Sequence, residues 1–81
     1  MTSIYIGNIT YSATERDIEQ LFSQFGEVAS VKLINDRETG RPKGFGFVEM
    51  HAEAASKAIE SLDGKEFMGR NLKVNQARSR D

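Results

Sequence analysis

Ile4 and Ile6 lie on one side of an alternating run, SIYIGNI (residues 3–9), with Tyr5 and Gly7 on the other. That is the period of a half-buried strand ending near Asn8. The period then lengthens. Ile18, Leu21, Phe22 and Phe25 recur at i, i+3, i+4 and i+7, which makes one apolar stripe on a helix. Before the stripe, TERD (14–17) offers Thr14 as N-cap, with Asp17 in the reciprocal place and Glu15 suited to the helix dipole. After it, Gly26 is expected to stop the helix in a left-handed conformation.

Alternation returns in SVKLIND (30–36): Val31 and Leu33 face one way, Ser30, Lys32 and Ile34 the other. DRETGRP reads as a hairpin connection into a third strand, KGFGFVEM (43–50). A second helix is expected over 53–62, with Ala55, Ala58, Ile59 and Leu62 as its stripe and Asp63–Gly64 as its terminator. MGR then turns into a last strand, NLKVNQ (71–76), with Leu72 and Val74 inward and Asn71, Lys73 and Asn75 outward. The order is βαββαβ. Two amphipathic helices must cover one sheet face, so the other stays open. The expected fold is α+β, a four-stranded antiparallel sheet with both helices on one side. Residues 1–81 read as one domain, with a core over about 3–77 and a polar end at 78–81.

The third strand decides which residues the open face presents. Gly46, Val48 and Met50 share one parity; Lys43, Phe45, Phe47 and Glu49 share the other. An unpaired lysine and glutamate do not lie under helices, because burying a charge is costly. The Val48 parity is therefore the buried one, and Phe45 and Phe47 stand outside. Tyr5 joins them from the first strand. A cluster of three exposed rings is expected to mark a binding surface.

The net charge is −1 and the pI about 5.8, which speaks against a polybasic binder. The charge is nevertheless segregated. Glu15, Asp17, Glu19 and Glu27 crowd the first third, whereas Lys32, Arg37, Arg41 and Lys43, and later Arg70, Lys73, Arg78 and Arg80, crowd the strands and the end of the chain. A local basic face on an acidic protein follows. Lys32, Lys43 and Lys73 share the parity of the rings. Flat rings among cations suit single-stranded nucleic acid, with bases stacked on the rings and cations on phosphates.

These stretches resemble the RNA-recognition motif. KGFGFVEM follows the octamer Lys/Arg–Gly–aromatic–Gly/Ala–aromatic–aliphatic–any–aromatic except at Met50, a place of buried parity. IYIGNI resembles the family's first-strand hexamer, with Ile9 where Leu is common. The run DRETGRPKGFGFVEM in one short domain resembles small cyanobacterial-type RNA-binding proteins. The resemblance implies a ferredoxin-like βαββαβ sandwich and stacking of bases on Tyr5 and Phe45. It further implies that Phe47 lies against sugars or between bases and that Lys43 meets phosphate. Lys32, Lys73, Asn75 and the main chain around Gln76–Arg78 would form the pocket edges, with Arg78 itself a binding candidate; Asn8, Arg41, Glu49, Gln76 and Arg80 are secondary candidates. Asn8 has the alternative of only fixing the turn after the first strand.

Other chemistries find little support. Without cysteine there are no disulfides, thiolate zinc sites or cysteine nucleophiles. His51, the only histidine, has no ligand cluster at metal spacing and is expected at a helix start. The glycines of TGRPKGFG are followed by neither Gly-Lys-Ser/Thr nor a helix, so both nucleotide fingerprints fail. Asp36 and Glu38 are expected to pair with Arg37 or Arg41, or to face water. Tyr11 and Phe67 are expected to cover the core, and Met68 to be exposed. The reading is thus a non-enzymatic, monomeric, cytoplasmic module for single-stranded RNA, without metal, cofactor or membrane; the resemblance implies post-transcriptional control or RNA chaperoning as its use. Single-stranded DNA is an alternative ligand. A protein-interaction module on the same fold is the rival; it would carry Arg–any–Phe where this chain has Arg70–Asn71–Leu72.

Overall fold

The computed structural model describes residues 1–40 and 42–77. Along the chain lie β1 (Thr2–Gly7), α1 (Glu15–Ser23), β2 (Val28–Asn35), β3 (Pro42–Met50), α2 (Ala52–Leu62), β4 (Glu66–Phe67), β5 (Arg70–Asn71) and β6 (Lys73–Gln76). One four-stranded sheet has the order β2-β3-β1-β6 with every pairing antiparallel, and β4 and β5 form a small separate hairpin. This is the expected ferredoxin-like βαββαβ arrangement, with β1 and β3 central.

Local chemistry starts the first helix. Thr14 is its N-cap, at φ −106° and ψ 168°. Asp17 N–H donates to Thr14 Oγ1 at 3.2 Å, and Thr14 N–H donates to Asp17 Oδ2 at 2.9 Å. Such a cap is worth about 0.5–2 kcal/mol. The second helix begins at His51 without any side-chain cap, so tertiary packing holds it, through the buried Ala55, Ala58 and Leu62. At its end the Asp63 Oδ1 accepts from Val74 N–H at 3.1 Å and ties α2 to β6.

Both helices cover the same sheet face. Ile18, Leu21 and Phe22 of α1 and the apolar stripe of α2 pack with Ile4, Ile6, Val48, Met50 and Val74 of the strands. Among the described residues no polar or charged side chain is buried with them. Removal of this apolar surface from water is the main stabilising term. It occupies one side of the sheet only.

Two local expectations need correction. Gly26 is not in the left-handed helical well: α1 stops at Ser23, Gln24 keeps helical angles, and Gly26 has φ 157°, a positive value that residues with side chains rarely adopt. Packing requires the glycine as well, since a Cβ there would lie 2.5 Å from Ala54 Cβ on α2. The last strand also begins later than expected. Gly64 N–H donates to the Leu72 carbonyl at 2.8 Å, and Leu72 N–H donates to the Lys65 carbonyl at 2.9 Å. Those bonds bind residue 72 to the turn after α2, so Arg70–Asn71 pair with Glu66–Phe67 and only Lys73–Gln76 join β1.

Candidate nucleic-acid interface

The register of the sheet aligns a row of side chains across all four strands on the face without helices. Tyr5 of β1 faces Phe47 of β3 on one side and Asn75 of β6 on the other, and Phe47 in turn faces Lys32 of β2. Directly opposed residues share a face, so the row runs Lys32–Phe47–Tyr5–Asn75. One step along, Gly7 faces Lys73.

Phe45 completes a ring triad. Ring centroids lie 6.0 Å apart for Tyr5–Phe45, 6.0 Å for Tyr5–Phe47 and 6.2 Å for Phe45–Phe47, with interplanar angles of 31°, 63° and 89°. These are tilted and edge-on contacts of the kind aromatic pairs favour. Each ring is half-exposed, so the triad supports itself sideways and keeps surface for a ligand.

Glycines set how closely the rings approach the backbone. Tyr5 leans along β1 over Gly7, where a Cβ would meet its hydroxyl oxygen at 2.7 Å. At Gly46 a Cβ would meet the Lys32 carbonyl oxygen at 2.4 Å, so the glycine lets β2 close onto β3 between the two phenylalanines. Alternation alone does not single out Gly7; a glycine two residues from a same-face aromatic on a strand is the signal for it.

The polar candidates take different places. Lys32, Lys73 and Asn75 are exposed on the ring side. Glu49 faces Ser3 and Ser30 one step from the triad, and its Oε1 accepts from Ser30 Oγ at 2.8 Å. Gln76 faces Ile4 and so shares the parity of Val74, away from the rings; the two-residue period of β6 removes its side chain from the site. Asn8 adopts φ 58°. Its Nδ2 donates to the Asn71 carbonyl at 2.7 Å, and its Oδ1 accepts from Arg70 Nη1 at 3.4 Å. Asn8 fixes the turn after β1.

The register of β2 against β3 is irregular next to Lys43. Leu33 faces Gly46 but Asn35 faces Pro42, so a two-residue step on β2 opposes a four-residue step on β3. Gly44, within the irregularity, has φ 87°, and its carbonyl accepts from Ile9 N–H at 2.8 Å. A bulge of this kind interrupts alternation. The side chain of Lys43 lies outside the described residues, as do Arg41, Arg78 and Arg80.

Tyr11 does not cover the core: it is 74% exposed. Ile9 and Ala13, both buried, already fill the space beneath this loop. Phe67 does pack against the core, and Met68 is exposed at φ 53°. Asp36 forms a local turn, its Oδ1 accepting from Glu38 N–H at 2.8 Å, and its carbonyl from Gly40 N–H at 2.8 Å. Among the described residues no group of three or more His, Asp or Glu is placed to hold a metal ion, and no helix is long and apolar enough to cross a membrane.

Comparison with known proteins places this geometry in context. The family model described as RNA recognition motif matches residues 4–73. "Putative RNA-binding protein RbpE" from Nostoc sp. is 58% identical over 80 residues, which covers 98% of this chain and 81% of that protein. The crystal structure of RNA Binding Protein PG1 superposes with a TM-score of 0.93 at 49% identity, covering 100% of this chain and 99% of the other. The Rna15 RRM, solved with bound RNA (GU), superposes with a TM-score of 0.85 at 35% identity, over 98% of this chain and 85% of its own.

Proposed function

The chain belongs to the RNA recognition motif family, and on that premise we propose that it binds single-stranded RNA across the open face of its sheet. The observation that carries this reading is the self-supporting triad of Tyr5, Phe45 and Phe47, half-exposed on the face the helices leave free. Base stacking on such rings contributes about 1–3 kcal/mol per base. Tyr5 and Phe45 each receive a base, and Phe47, edge-on to both, lies against the sugars between them.

The two ends of the central row supply the rest. Lys32 and Lys73 meet phosphates, and Asn75, opposite Tyr5, has both a donor and an acceptor for the Watson–Crick edge of a base. Lys43 and Arg78 add positive charge from their places in the sequence. The Rna15 RRM, similar over almost all of this chain, has been solved with RNA (GU) on it, which supports the ligand class. Control of RNA after transcription, or remodelling of RNA structure, is the use such a face serves. Stacking does not sense the 2′-hydroxyl, so single-stranded DNA binds the same rings.

An NMR titration with short single-stranded RNA tests the face. The largest shifts are expected at Tyr5, Lys32, Phe45, Phe47, Lys73 and Asn75. Largest shifts on the solvent side of α1 or α2 would overturn the reading.

A further inference from the structure

The turn at the end of β1 carries a feature that the ring triad does not use. Asn8 is held in the left-handed region, φ 58°, which disfavours most side chains and is tolerated by asparagine. Both ends of its amide are engaged with β5: Nδ2 donates to the Asn71 carbonyl at 2.7 Å, and Oδ1 accepts from Arg70 Nη1 at 3.4 Å. The short bond to Asn71 and the backbone pairing of β4 with β5 already hold the hairpin. The longer contact to Arg70 adds little to that fastening. What it does is aim a guanidinium.

The place at which it aims is next to the ring face. Asn8 follows Gly7, which lies beneath the Tyr5 ring and faces Lys73. Arg70 is exposed. Its side-chain hydrogen bond goes to a neutral amide, which does not offset its charge. A guanidinium has five N–H donors and flat faces. With one nitrogen resting on Asn8, the others and both faces remain for a ligand.

We propose that Arg70 is a further RNA-contacting residue, aimed by Asn8 at the nucleotide that leaves the Tyr5 ring past the end of β1. The proposal rests on the RNA-binding reading above. A flexible arginine loses much rotamer freedom when it binds; one already resting on Asn8 loses less, which is preorganisation. Asn8 is a positioning residue in this scheme and Arg70 the contact.

Affinity for short single-stranded RNA of random sequence, measured at about 50 and about 200 mM salt, tests this on the wild type, Phe45→Ala, Arg70→Gln, Asn8→Gly and the double variant Asn8→Gly/Arg70→Gln. Arg70→Gln is expected to melt like the wild type and to bind about tenfold more weakly, the size of one charge-assisted hydrogen bond. Asn8→Gly keeps the positive φ while removing the amide. It is expected to weaken binding by itself and to add little in the Arg70→Gln background. If the guanidinium meets a phosphate, Arg70→Gln also reduces the log–log salt slope by about 0.7; if it lies on a base, the loss is the same at both salt concentrations. Either pattern supports the contact. Wild-type affinity for Arg70→Gln alongside weak binding by Phe45→Ala would overturn this proposal alone, and wild-type affinity for both would overturn the sheet-face reading. An undiminished effect of Asn8→Gly in the Arg70→Gln background would remove Asn8's positioning role.

Discussion

The Tyr5 ring rests on the backbone of Gly7: a Cβ at residue 7 would stand 2.7 Å from the tyrosine hydroxyl oxygen and 3.0 Å from Cε1. Gly7 has no left-handed φ, so backbone conformation does not demand a glycine there. The ring does. The atoms in the way belong to the far part of a side chain that can swing, and swinging it moves the ring proposed as the stacking surface on β1.

Gly7→Ala is therefore expected to fold normally and bind RNA less well, by about 1 kcal/mol, the lower end of one stacking contact. Tyr5→Ala in the Gly7→Ala background should add less than Tyr5→Ala does alone, because both act on one ring. A melting temperature well below the wild type for Gly7→Ala would show that the residue serves the fold instead.

Gly46→Ala should behave in the opposite way. Its Cβ would meet backbone, the Lys32 carbonyl oxygen at 2.4 Å, and a strand cannot swing aside as a side chain does. The expected cost is about 1–3 kcal/mol of stability, as for an overpacked interior. Chemical denaturation measures it, and an unchanged midpoint would mean that β2 and β3 have slack between them.

Phe45 and Phe22 are the same residue type in opposite roles. Phe22 is 0% exposed under the sheet, and Phe45 is half-exposed above it. Phe22→Ala is expected to cost about 3–5 kcal/mol of stability, as core phenylalanines do. Phe45→Ala should remove about 1–3 kcal/mol of RNA binding and leave the melting temperature nearly unchanged. Equal destabilisation by the two would return Phe45 to the core.

Period alone was enough to find the helix-covered face and the ring side of the sheet, because Ile4, Ile6, Val48 and Val74 repeat at two and Ile18, Leu21 and Phe22 at helical spacing. What it missed depends on contacts between segments distant in sequence. Gly44 interrupts the regular strand through its own φ of 87° and a bond from Ile9 N–H, an irregularity that no count along the strand announces. Leu72 looks like a strand residue until its backbone is seen bonded to residues 64 and 65. Tyr11, in the loop before α1, is expected over the core, but Ile9 and Ala13 fill that space and Tyr11 is exposed. The Asn8–Arg70 contact joins residues 62 apart in sequence, and no local pattern announces it.

Salt dependence separates rings from charges. The protein is slightly acidic overall, so attraction to RNA rests on a local patch: Lys32, Lys43, Lys73 and Arg78, with Arg70 as a fifth cation. At ~0.7 per phosphate for single strands, the log–log slope should be no steeper than about −3.5. Stacking persists at high salt, so affinity should decline without vanishing. Replacing Arg78 and Arg80 by glutamine should flatten the slope and leave base preference largely unchanged, because phosphate contacts position the strand and do not specify it. Affinities measured across a salt series on the wild type and this variant provide the check. A slope near zero would mean that the basic side chains are merely solvated. One far steeper than −3.5 would mean that charge outside this patch dominates, and the rings would then hold a strand that electrostatics had already captured.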